Sequence, residues 1–127
     1  PGTLYPLIEQ RFRQGAETAP ADHDEALRQL ALLRDRAAVE MAEKGLIAMP
    51  TVAIAPPRLS ALLTDEHFYV SRNLRALANT RLVNLLGLSA ITVPTGTPHA
   101  GLMLIGPPMD EARLLAAGAA VEAALSS

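Results

Sequence analysis

Residues 22–44 repeat apolar side chains at helical spacing for about six turns, and the pattern stops at Gly45. Ala26, Leu30, Leu33, Ala37 and Met41 follow one another at intervals of three and four, while Arg28, Asp35, Arg36 and Glu43 fall on the opposite side. This predicts a long amphipathic helix whose stripe is buried against another element. Asp22 or Asp24 is placed to cap its start. Lys44 sets a cation near the negative end of the helix dipole, and Gly45 suits the left-handed position that closes a helix. Immediately afterwards Leu46-Ile47-Ala48-Met49 forms a short apolar run ended by Pro50-Thr51, which reads as a buried strand feeding a loop. A long helix running straight into a strand commits the chain to an α/β arrangement.

The remaining segments fit around that pair. Leu4, Leu7, Ile8, Arg11 and Phe12 predict a helix over residues 4–15, stopped by Gly15. Pro56-Pro57 predicts irregular chain over 55–63. Phe68, Val70, Leu74 and Leu77 predict a helix over 65–79, with a shorter helical piece over 81–87 ending at Gly87. Residues 89–93 and 101–105 are strand-like and separated by turn-forming residues, which predicts an antiparallel pair. Asp110-Glu111 opens a last helix with the stripe Leu114, Ala117, Val121 and Leu125. The expectation is an α/β fold in which a small mixed β-sheet of about three strands packs with helices, all 127 residues forming one unit.

Half the residues are apolar but only 3% are aromatic, so Leu, Ala, Val and Ile must fill the core. Charged residues make up 19%, below the ~25% usual for a soluble domain. That deficit, with a mean hydropathy of +0.20, predicts a surface meant to be covered, by a missing part of the chain or by self-association into a homodimer about a two-fold axis. The formal charge of −2 and the absence of a basic block argue against a nucleic-acid partner. No apolar run approaches the ~20 residues of a membrane helix, so no membrane partner is expected, and no signal peptide can be read. The chain opens Pro1-Gly2, which reads as an internal start. With no cysteine, disulfide, thiolate and Cys–zinc chemistry are excluded, and a cytoplasmic setting is expected.

No self-contained active site can be assembled from the residues. His23, His67 and His99 have no metal-ligand spacing, and Asp22-His23-Asp24 has an ordinary role at a helix start, so neither metal nor cofactor is expected. The G-x-S-x-G and S-x-x-K patterns are absent, and Gly87-Leu88-Ser89-Ala90 lacks the second glycine of a nucleophile elbow. Lys44, the single lysine, belongs to a solvated helix end rather than a desolvated base site. Thr95-Gly96-Thr97 and Gly106 are too sparse for a phosphate cradle.

Three segments, in this order, resemble the C-terminal portion of the amidase-signature family. They are RAAVEMAEKGLIAMPTVAIAPP from Arg36, TRLVNLLGLSAITVPTG from Thr80 and AGLMLIGPPMDEARLLAAGAAVEAAL from Ala100. The match departs from the family at Leu82, Ser89, His99 and Met103. The resemblance implies a piece of that family's larger α/β fold. It implies a parent enzyme that cleaves a C–N amide bond of a small substrate with a Ser–Ser–Lys set, and an oxyanion held by backbone N–H groups. Those catalytic residues would come from the missing N-terminal part; none is expected in this span, whose only Ser-Ser is Ser126-Ser127. Pro50-Thr51 and Asn84 would lie near the pocket, making Thr51 and Asn84 the candidate substrate-pocket residues. The alternatives are a free-standing, non-catalytic α/β domain for protein contact, or part of the A subunit of a tRNA-dependent amidotransferase.

Overall fold

The computed structural model describes residues 3–125; Pro1-Gly2 and the Ser126-Ser127 pair lie outside the described residues. The chain divides into two compact units, one up to Leu32 and one from Leu33 onward.

The first unit holds α1 (Pro6–Ala16) and the beginning of α2 (Pro20–Lys44). Pro6 suits the first helical turn, where its missing N–H costs nothing. Glu9 and Arg13, four apart, form an ion pair on the helix surface. Gly15 lies inside α1 instead of stopping it. Asp22 and Asp24 likewise fall inside α2, which begins at Pro20.

The second unit contains the rest of α2 and then β1 (Ile47–Pro50), α3 (Leu59–Thr64), α4 (Glu66–Ala76), α5 (Ala78–Leu86), β2 (Ser89–Pro94), β3 (Gly101–Gly106) and α6 (Glu111–Leu125). The strands lie in the order β1-β3-β2. Ile47 pairs with Ile105 on one side of β3, and Ser89 with Gly106 on the other. Both pairings are antiparallel. The α/β class and the three strands are as expected, but among the described residues the sheet is antiparallel, not mixed. Strand β3 is central, and residues 103–106 are all buried, which explains its uninterrupted apolar run. On one face Met103 and Ile105 join Met41 and Val83, with Met49 and Leu88 packed alongside. On the other face lies α6, packed on β2 and β3. Its Gly118 allows the close approach: a Cβ there would stand 3.2 Å from Ile91 and 3.4 Å from Val93.

Several expectations need correction. The stripe of α2 reaches the sheet core only at Met41. Leu30 and Ala37 are half-buried, Ala26 is exposed, and Leu33 is 51% exposed. A periodic stripe shows which side can be buried, not how much of it another element covers. On the same helix Arg34 donates from Nε to the Leu85 carbonyl, 2.9 Å away. Strand β1 is mostly exposed rather than buried, because it lies at the sheet's edge. The stretch after Pro56-Pro57 is not wholly irregular, since α3 starts at Leu59. The helix expected over 65–79 breaks at Leu77 into α4 and α5. Asp65 caps α4 by accepting from the Phe68 N–H at 2.9 Å.

Of the three helix ends assigned to glycine, those at Gly45 and Gly87 hold. Gly45 (φ 81°) follows α2 and donates to Met41 O. Gly87 (φ 69°) donates to Asn84 O, and Leu88 donates to Val83 O. This double closure satisfies two terminal carbonyls and carries Leu88 back onto Val83 in the core.

Two contrasts test this packing by urea unfolding. Leu114, 1% exposed, should cost about 2–5 kcal/mol as Leu114→Ala, whereas Leu33→Ala should stay within about 0.5 kcal/mol. Gly87→Ala should destabilise by roughly 1 kcal/mol through its backbone angle, since no atom crowds the added methyl. Gly15→Ala, inside α1 and equally uncrowded, should stabilise by about 0.5–1 kcal/mol.

Candidate functional site

A cleft of about 580 Å³ opens where β1 ends and β3 begins. Its walls are residues 50–55, Asn79 from the first turn of α5, and the turn at residues 98–101. The apolar part of the lining comes from Pro50, Val52, Ala53, Ile54, Ala55 and Pro98; Thr51, Asn79 and His99 supply the polar side chains.

The strand pattern explains the wall. Thr51 extends the β1–β3 ladder by one step, its N–H donating to Gly101 O at 2.9 Å. Its hydroxyl then reaches over β3 to Thr92 Oγ1 on the far strand, 3.1 Å away. That reach depends on a missing side chain. A Cβ at Gly101 would lie 2.9 Å from Thr92 Cγ2 and 3.0 Å from Thr51 Oγ1. Pro50, which has no N–H to offer, uses its carbonyl to accept from Asn79 Nδ2 at 2.7 Å. Helix α5 thereby fixes the point where β1 turns into the loop.

The opposite wall is a tight turn. Ala100 N–H donates to Thr97 O at 3.1 Å, and Thr95 Oγ1 donates to Ala100 O at 3.1 Å. Pro98 and His99 are the turn's two central residues, and His99 has φ 63°. Proline followed by a positive φ is the signature of a type II turn, whose third position ordinarily takes Gly or Asn.

The cleft holds no catalytic set. It contains no serine, lysine or carboxylate, and the Thr51 hydroxyl is bonded to another hydroxyl, not to a base. Elsewhere, Ser89 donates to Glu111 Oε1 at 3.0 Å, at the start of α6. Lys44 pairs with Glu40 on the helix surface. His23 stands 3.5 Å from Asp24 with both exposed. Among the described residues no three His, Asp or Glu side chains converge as metal ligands would.

Of the two residues singled out in the sequence, Thr51 lines this cleft and Asn84 does not. Asn84 is exposed and borders a separate depression with Leu77, Thr80 and Arg81. Five residues along a helix turn a side chain by about 140°, so Asn79 and Asn84 face different ways. Nothing in the sequence marks which asparagine of α5 meets β1, so Asn79 is absent from the candidates. His99 enters the sequence reading only through its lack of metal-ligand spacing and as a departure from the family pattern.

Comparison with known proteins places these observations. The family model described as "Amidase" matches residues 2–115. The 2-amino-5-chloromuconic acid deaminase of Comamonas testosteroni is 34% identical over 94% of this chain and 27% of its own length. The A subunit of the glutamyl-tRNA(Gln) amidotransferase of Halobacterium salinarum is 38% identical over 64% of this chain and 19% of its own. A fatty acid amide hydrolase of Oryza sativa subsp. indica is 41% identical over 60% of this chain and 13% of its own. The chain thus spans between 13% and 27% of the length of these curated relatives. No solved structure matches.

The wall makes its own prediction. Gly101→Val should part Thr51 from Thr92 and cost about 1–3 kcal/mol by overpacking. Asn79→Ala should cost about 1 kcal/mol through the lost bond to the Pro50 carbonyl. Thermal unfolding of the two variants, with amide exchange at Thr51, checks both; unaltered protection at Thr51 in Gly101→Val would contradict the arrangement.

Proposed function

Because the chain belongs to the amidase family, we propose that the protein carrying it hydrolyses the C–N amide bond of a small substrate. The observation that carries this reading is the match over residues 2–115, together with a cleft that has a binding wall but no nucleophile. The two support a division of labour. A Ser–Ser–Lys set in a segment preceding these residues attacks the amide carbonyl and relays the proton, without metal or cofactor. The 127 residues complete the sheet and the pocket wall. Thr51 belongs to that wall, and Asn84 braces or lines a further part of it. The preceding segment also covers the open edges of β1 and β2 and the apolar side chains left in solvent, such as Leu59 and Leu63; a second copy of the chain is the other cover. The likeness to the A subunit of an amidotransferase makes a role within an amidotransferase of several subunits the second reading.

The full-length protein should release ammonia from small aliphatic or aromatic primary amides, and a Ser→Ala change in its tandem-serine segment should abolish this. The 127 residues alone should release none. Turnover by these residues alone, lost on a substitution within them, would overturn the division of labour. A full-length protein inert toward every amide of the panel, but active when glutaminyl-tRNA formation is assayed with partner subunits, would favour the second reading.

A further inference from the structure

We propose that His99 is a specificity-determining residue, whose ring N–H recognises a hydrogen-bond acceptor, above all a carboxylate, on the amide substrate. The inference rests on the amidase reading and adds to it the chemical class of the substrate.

Three observations meet at this residue. The first is the backbone. His99 has φ 63° at the third position of a turn beginning at Thr97, where glycine or asparagine is the unstrained choice. A non-glycine residue held in a sparsely populated conformation is a cost that packing or function must offset. The turn's hydrogen bonds hold this conformation, which histidine enters more readily than most residues, and they leave the ring exposed beside the cleft. The second is the inventory of polar groups. Among the three polar side chains lining the cleft, Thr51 bonds Thr92 and Asn79 bonds the Pro50 carbonyl. Among the described residues nothing hydrogen-bonds the His99 imidazole, so both ring nitrogens are available to a ligand. The third is the surroundings. Val52, Ile54 and Pro98 make the rest of the lining largely apolar, which suits a short hydrocarbon body and leaves its polar end to the imidazole. A neutral imidazole can donate one N–H to an acceptor, and a carboxylate is the strongest acceptor a small substrate can present.

The turn geometry supplies a clean test, since His99→Gly relieves the backbone while removing the imidazole. The full-length protein is assayed with succinamate and with butanamide, which share a chain length and differ in a terminal carboxylate against a methyl. Wild type should prefer succinamate in kcat/KM. In His99→Gly the KM for succinamate should rise roughly ten- to a hundredfold, and the ratio of kcat/KM for succinamate to that for butanamide should fall by about the same factor. Its melting temperature should be equal or higher. If His99→Gly lowers the melting temperature, His99→Asn, which tolerates the same backbone, takes its place with the same expected loss in reduced degree. An unchanged succinamate-to-butanamide ratio in the folded variant, or a wild type that prefers butanamide, overturns the role of His99 and leaves the amidase reading standing. A wild type inert toward both, and toward the wider amide panel, overturns the amidase reading and this inference with it.

Discussion

Strand β3 holds both of its neighbours by antiparallel pairing, and at Gly101 it does so with no side chain. That absence lets Thr51, one residue beyond β1, and Thr92 of β2 share a hydrogen bond across the strand between them. The result ties three strands together at one level, beside the cleft. Because side chains alternate from face to face along a strand, a slip of one residue would turn Met103 and Ile105 away from Met41 and Val83. Register, core and cleft wall are therefore one constraint.

Small residues recur where backbones come close. Gly118 brings α6 onto Ile91 and Val93, and Gly106 leaves room for Leu46 and Leu114. A Cβ at Gly106 would stand 3.0 Å from Leu46 and 3.3 Å from Leu114. In a chain with few aromatic rings, close approach of elements takes over part of what large side chains do elsewhere, because dispersion depends on many short contacts. The cleft depends on this rigidity. Its walls are the end of β1 with the loop that follows it, the start of α5 and a hydrogen-bonded turn, and the bonds made by Thr51 and by the Pro50 carbonyl fix the first step of that loop.

Much of this is legible in the sequence. Gly45 and Gly87 announce helix ends because a left-handed residue there has few substitutes. The apolar run through Met103, Leu104 and Ile105 announces a strand covered on both faces. Other features cannot be read. The stripe of α2 does not say that Leu33 stays exposed, since periodicity is blind to where a neighbour ends. The break at Leu77 carries no proline or glycine to mark it. Thr51 becomes a candidate only through the family resemblance, and Asn79 depends on a pairing 29 residues apart in sequence that no local pattern encodes. The strain at His99 arises from the turn that Pro98 begins, and its meaning depends on the cleft beside it.

The division of labour proposed above accounts for the distribution of surface and chemistry. Leu59, Leu63 and Met109 are 68%, 73% and 88% exposed, and the low charged fraction leaves few groups to keep such a surface wet. β1 and β2 each leave one side without a partner strand among the described residues, and an open edge favours further pairing. A domain built only for contact with other proteins would have no need of a cleft whose wall is fixed by paired threonines and an asparagine–carbonyl bond. A hydrolase that takes its nucleophile from another segment does need one, because acyl transfer requires the substrate held in register with the attacking group. On the proposed division of labour the bonded wall, the unspent imidazole and the uncovered edges would belong together: the strands would set where the substrate lies, and the covering segment would bring the chemistry to it.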